Sequence, residues 1–368
     1  MAIAGGRISL DSTEGMDKVT QTEKVTSPYF SDGTTELLGA NVVSSSLSDT
    51  NETYFFGISN SSTPTVEEFN VTYGDSLGHG ALVETNTKSE TAAIYGQYAN
   101  LLLAPTEVTG GFFISSPGSD SAITSGKDEE IFVLTARRSN MKDRLNKGTW
   151  QLNLSGSNSG LNQGSGSALL HLKDDSVNDN PTATPVGDRY NIVSCSSAGV
   201  IAAEATKRNF GFFYPDMGIM VFSQQELSRS IQGSGSGVDT TTVFKGLEHQ
   251  GFATTTNTDA NYKNGLKFIN CLSNVGTSMK FRDEEDKVSA QYFCRVKSGQ
   301  MNFSNNPTFI SGSLNELRQK TMKGNPNVYI TSVQLYNQTG DMVAVGNLST
   351  PLRKNFSSEA TIKIKLDY

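Results

Sequence analysis

Residues 327–354 read NVYITSVQLYNQTGDMVAVGNLSTPLRK. Two apolar runs flank the tip YNQTGD, where Asn, Gly and Asp supply turn chemistry. The pattern is a strand, a tight turn and a second strand. A two-stranded hairpin alone is marginal in water, so a third strand or another packed element is required. The last residues, ATIKIKLDY, supply a natural third strand. Ile362, Ile364, Leu366 and Tyr368 alternate with Thr361, Lys363, Lys365 and Asp367, which predicts one buried and one solvated face.

The same grammar extends along the chain. ETYFFGIS and EEFNVTYG read as strands around the turn NSSTPT. In EEIFVLTARR the consecutive Ile131, Phe132, Val133 and Leu134 predict a strand buried on both faces. In KGTWQLNLSGS, Trp150, Leu152 and Leu154 face one side and Gln151 and Asn153 the other. NFGFFYPDMGIMVFS reads as two strands joined at YPDMG. SAQYFCRVKSGQMNFSNNPTFI reads as two strands around a Ser-Gly turn. AAIYGQYANLLLAP fits either a short helix or a strand, and Pro105 ends it. SQQELSRSI and NYKNGLKFINCLSN read as short helices. The expected class is mainly β: two or more antiparallel β-sandwich-like modules, with a few short helices and long loops.

Four segments are expected. Residues 1–35 form an extended N-terminal arm, too polar to order without a partner. Residues 36–155 form a β-rich domain. Residues 156–188 form a loop region, first Gly/Ser-rich and then Asx/Pro-rich. Residues 189–368 form a β-rich C-terminal domain.

Composition narrows the function. Hydrophobic residues are 36% of the 368 and charged residues only 18%, so the remainder is uncharged and polar, which suits strands and turns. Formal net charge is −7 with no basic block, which argues against a nucleic-acid groove. No apolar run is long enough to predict a membrane span, and the N-terminus has no secretory h-region. Cys195, Cys271 and Cys294 match no zinc spacing and are expected to be reduced, buried thiols of a chain made in a reducing cytoplasm. The charge run FRDEEDK, 281–287, reads as a solvated turn.

Catalytic signatures are missing from the local sequence. His79, His171 and His249 lie in separate regions without metal spacing. No phosphate loop and no nucleophile elbow occurs. KDDSVNDN, with Asp174, Asp175, Asn178 and Asp179, reads as an Asx-rich turn rather than a calcium loop, since the spacing and the closing Glu are wrong. No catalytic, cofactor-binding or metal residue is assigned, and an enzyme is not expected.

The hairpin also carries a resemblance. VYITSVQLYNQTGDMVAVGNLSTP resembles the ITEIGLYDxxGxLLAVG hairpin of structural proteins in phage tails and baseplates, including attachment regions of tail fibres. The matching positions are Tyr329, Ile330, Thr331, Val333, Leu335, Tyr336, Gly340, Val343, Ala344, Val345 and Gly346; Gln334 stands where the family usually has Gly. RRSNMKDRLNKGTWQLNLSGS, FFYPDMGIMVF, YFCRVKSGQMNFSNNPTF and KGNPNVYITSVQLYN look like segments of virion structural proteins of contractile-tailed phages, especially those infecting cyanobacteria. The resemblance implies a structural component of a bacteriophage virion, in the tail or baseplate. It implies other virion proteins as partners, a homo-oligomer in the particle, no cofactor, and no nucleic acid or membrane. An adsorption protein binding a receptor or glycan, or a neck or capsid-decorating protein, is the alternative. The residues expected to matter are those of the hairpin and last strand: Tyr329, Ile330, Val333, Leu335, Tyr336, Gly340, Val343, Val345, Ile362, Ile364 and Leu366.

Overall fold

A computed structural model describes residues 8, 10, 17–42, 54–78, 89–114, 126–155, 169–201, 208–230, 264–273, 276–304, 306–311 and 316–367. Strands β1 (Lys18–Pro28), β2 (Glu36–Leu38), β3 (Asn41–Val42), β4 (Phe55–Ser59) and β5 (Phe69–Asp75) precede helix α1 (Glu90–Leu102). Next come β6 (Glu130–Ala136), β7 (Arg144–Leu145), β8 (Gln151–Ser155), β9 (Leu169–Asp174), β10 (Thr182–Thr184), β11 (Gly187–Cys195), β12 (Asn209–Tyr214) and β13 (Ile219–Ser223). Helices α2 (Gln224–Ser230) and α3 (Asn264–Ser273) follow. The order ends with β14 (Thr277–Lys280), β15 (Arg282–Val296), β16 (Ile310–Ser311), β17 (Glu316–Leu317), β18 (Val328–Tyr336), β19 (Met342–Lys354) and β20 (Ala360–Asp367). The protein is therefore mainly β.

The chain divides into two compact units, Val25–Glu285 and the combination of Met1–Lys24 with Asp286–Tyr368. This division departs from the segments read in the sequence. Residues 156–188 do not separate domains, because β8 and β9 pair directly, Leu152 opposite Leu172. Nor is 1–35 an arm throughout: 18–28 form β1, and Tyr29 and Phe30 are buried in the core of the larger unit. Two large aromatics in a polar stretch carry the order that composition alone does not show. Residues 1–7, 9 and 11–16 of the expected arm lie outside the described residues.

The larger unit is built on one sheet, ordered β2-β14-β8-β9-β11-β12-β13-β6-β5-β4-β3, with β10 on β11. In β6 the four consecutive apolar residues are all fully buried. Phe132 and Leu134 enter one hydrophobic cluster, Ile131 and Val133 another, as period-2 alternation requires. On the second face α1 settles the ambiguous stretch as a helix. Thr91, Tyr95, Ala99 and Leu102 are buried at helical spacing, so one stripe faces the sheet. On the first face the two ends of the sheet share a core. Phe69 of β5 lies 5.0 Å from Phe281, just past β14, measured between ring centroids. The sheet thus curls over a single interior into which α3 places Phe268, Ile269 and Leu272.

β12 and β13 form the expected hairpin at YPDMG. Gly218 there has φ +67°, and its N–H donates to Tyr214 O at 2.9 Å. The charge run 281–287 is not a solvated turn. Phe281 is in the core, and Asp283 and Glu284 are buried at the start of β15. Their charge is matched locally: Asp283 accepts from Lys142 N at 2.9 Å, and Glu284 accepts from Arg144 Nε at 2.9 Å and Asn146 Nδ2 at 2.5 Å. A buried charge is tolerable only with such partners.

In the smaller unit β15 lies between β1 and β20. β15 and β20 pair antiparallel over eight residue pairs, from Ser289 with Asp367 to Val296 with Ala360. β16 and β17 form one short pair, and β18 and β19 another. The Ser-Gly turn expected at 298–299 does not lead into a long second strand. Residues 297–304 are turns and bends, and only Ile310–Ser311 is extended enough to pair. Among the described residues no helix is long and apolar enough to cross a membrane.

Candidate assembly surface

The smaller unit is short of interior. Its buried apolar residues among those described are Ala290, Val296, Val328, Ala360 and Ile362, and neither hydrophobic cluster includes any of them. Small side chains in that number remove little surface from water, at roughly 25 cal/mol per Å² of apolar area. Large apolar side chains of the same unit stay outside instead.

Most of these lie on the hairpin. Tyr329 is 61% exposed, Val343 65% and Val345 58%, with Met342 and Leu352 also exposed. Ile330, Val333, Leu335 and Tyr336 are half-buried. In the register Val333 faces Gly346 and Leu335 faces Ala344, so these four share one face. Gln334 faces Val345 on the other. Both faces of the ribbon therefore carry apolar groups. The pairing is interrupted twice, between Ile330 and Ser332 and between Leu335 and Tyr336. Such irregularities bend and twist the strand that carries the extra residues.

The tip is rigidly specified. Asp341 N donates to Asn337 Oδ1 at 2.7 Å, and Thr339 Oγ1 donates to Asp341 Oδ2 at 2.6 Å. Gly340 adopts φ +93°, a conformation that other residues rarely take. Hydrogen bonds from Thr339 and Asn337 hold the Asp341 carboxyl below its usual pKa. The base is clamped as well. Lys354 is fully buried, and its Nζ donates to Ser298 O at 2.9 Å, Asn302 Oδ1 at 3.0 Å and Asn355 O at 3.0 Å. Asn325 accepts from Phe356 N at 2.9 Å, and Asn327 from Arg353 Nε at 2.9 Å. The ribbon is thus held at both ends by polar contacts while its middle presents apolar groups to solvent.

The structure does not bring all the predicted residues into one sheet. β20 is not the third strand of the hairpin; it pairs β15, placing Ile362 opposite Cys294, Ile364 opposite Tyr292 and Leu366 opposite Ala290. The eight-residue strand runs the length of the β15 ladder from Ser289 to Val296. Ile362 is buried, and Ile364 and Leu366 are half-buried, so the alternation holds with a shallower interior than the pattern implies. Tyr368 lies outside the described residues. The Lys354 and Asn clamps were not read from the sequence. Their signal was present as Asn, Ser and Pro clusters on either side of the hairpin, KGNPN and KNFSS.

Other polar groups of the chain serve as clamps. Asp174 accepts from Gly148 N at 2.9 Å with both oxygens, and Asp175 accepts from Asn191 N at 2.9 Å and Nδ2 at 2.8 Å. KDDSVNDN ends in a turn closed by the main chain, with Asn178 N and Asp179 N both donating to the Asp175 carbonyl O at 2.9 Å. His171 Nδ1 lies 2.6 Å from Asn153 Oδ1; His79 and His249 are outside the described residues. Cys195 and Cys294 are half-buried and Cys271 buried, none of the three in a disulfide; burial pushes the pKa of Cys195 up to about 11. In the larger unit a depression of about 260 Å³ is lined by Leu103, Glu107, Phe113, Arg189 and Phe212. Its guanidinium is already engaged, 4.4 Å over the Phe212 ring and 3.6 Å from Glu107.

Comparison with protein families, with curated proteins and with solved structures found no match.

Proposed function

We propose that this chain is a structural subunit of a bacteriophage virion, in the tail or baseplate, and that it acts through subunit interfaces. The observation that carries the assembly part is the β18–β19 ribbon. It pairs with no other strand among the described residues and leaves Tyr329, Met342, Val343, Val345 and Leu352 exposed. Large apolar side chains left exposed together on one element mark a contact site. The virion setting rests on the sequence resemblance of that same hairpin. The unit that carries it buries little of its own, so a neighbour supplies the missing interior.

The test is the protein content of purified particles. The chain is expected at fixed stoichiometry in density-purified virions and to stay bound through a high-salt wash, because an apolar joint is insensitive to screening. Its recovery only in the lysate would refute the reading.

A further inference from the structure

The two edges of the ribbon differ. β19 carries Pro351, which lacks an N–H, and the exposed cation Arg353. These are the devices that keep an edge from pairing. β18, VYITSVQLY, has no Pro, no Gly and no charge over nine residues. Among the described residues its outer edge pairs with nothing. Its two ends, Val328–Tyr329 and Leu335–Tyr336, are apolar and lie symmetrically about Ser332. In an antiparallel pairing of two copies centred there, Tyr329 meets Leu335, Thr331 meets Val333, Ile330 meets Gln334 and Val328 meets Tyr336. Each copy meets its partner with no like charges opposed, and an aromatic faces an aliphatic residue twice.

Resting on the assembly reading above, we propose that the β18 edge is the joint for a second copy of this chain, paired antiparallel about Ser332. The result is a four-stranded sheet, β19-β18 continued by β18-β19 of the other copy. That sheet meets the strand number a ribbon lacks alone. The contact is isologous and closes on a twofold axis, so it makes a dimer rather than a filament.

The experiment uses the full chain. Sedimentation over a concentration series should show a monomer–dimer equilibrium. Ser332 is exposed and would lie on the axis. A Ser332→Cys chain should therefore form a covalent dimer under mild oxidation well above the wild-type background. A Thr331→Cys chain should not, because its copies would sit at diagonal positions about 7–8 Å apart, too far for a disulfide. Thr331→Lys with Val333→Lys should weaken the dimer about tenfold or more by opposing like charges. Thr331→Lys with Val333→Glu should restore it, since each Lys then faces a Glu. Hydrogen exchange of β20 checks that each variant is folded. A chain that stays monomeric, with equal cross-linking from the two Cys variants, overturns the proposal. If such a monomer still enters particles with β18 protected, another protein fills the edge and the assembly reading stands. If the dimer forms but the double-Lys variant enters particles normally, the self-pairing stands and the assembly role of the hairpin falls.

Discussion

Trp150 stacks on Phe281 with ring centroids 5.4 Å apart and planes 8° from parallel. The contact ties the start of β8 to the residue between β14 and β15. It continues through Phe69, 5.0 Å from Phe281, to the far side of the same sheet. Trp150 is the sole tryptophan and is fully buried, so its emission reports the larger unit alone. Native protein should emit in the blue range of a buried indole and shift red in one transition on denaturation. Phe281→Ala should lower the stability of this unit by about 3–5 kcal/mol, the usual cost of removing a buried ring. A loss below about 1 kcal/mol in urea unfolding followed at Trp150 would mean that this ring stack does not join the two ends of the sheet.

Ile362 and Ile364 provide a paired test of the last strand. Ile362 is 8% exposed, and Ile364 is only half-buried. Ile362→Ala should cost about 2–4 kcal/mol in the smaller unit and Ile364→Ala clearly less. Amide exchange in β15 reads both. The reverse ranking would show that the strand is shifted by two residues along β15.

Lys354 is a cation held by three neutral oxygens, and Lys354→Met leaves those acceptors without their donor. The base of the hairpin should loosen by about 1–3 kcal/mol. Exchange should speed up across 328–336 and 298–302, while the urea midpoint read at Trp150 should not move. A shift of that midpoint instead would tie Lys354 to the larger unit.

Burial raises the pKa of the Asp174 carboxyl above its ordinary value, against hydrogen bonds from Ser176 and Gly148. The native state then holds a proton at pH values where the unfolded chain, near 3.9 for an ordinary Asp, has lost it. Stability contributed by this group therefore rises as pH falls from neutral toward the ordinary carboxylate range, and is lost as pH rises through the native pKa. Asp174→Asn cannot titrate. Its urea midpoint should change less than the wild-type midpoint as pH falls from neutral to the ordinary carboxylate range, about 4. Parallel pH curves for the two proteins would contradict this assignment.

Much of the fold was legible because its signals are local. The alternation in 150–154, the four apolar residues of β6 and the YPDMG turn each map onto a strand or hairpin without help from distant residues. What sequence could not show is which strands become neighbours. Nothing local says that ATIKIKLD pairs β15 rather than the hairpin beside it, because both offer apolar alternation. FRDEEDK misleads for the same reason. Its buried carboxylates are stabilised by Lys142 N, Arg144 and Asn146, more than 130 positions away, and no window contains both halves. The hairpin itself was clear. Its lack of cover was not, since exposure depends on the strand that went elsewhere.

The proposed assembly role requires the ribbon 328–354 to be unfinished in the single chain and completed in the particle. Hydrogen exchange of that segment, measured in the isolated protein and in purified particles, tests this directly. Amides on the free edge of β18 should exchange readily in the isolated chain at dilute concentration and slow by about a hundredfold or more in the particle, the effect of roughly 3 kcal/mol of added protection. Equal exchange in the two states, whether fast or slow, would contradict it.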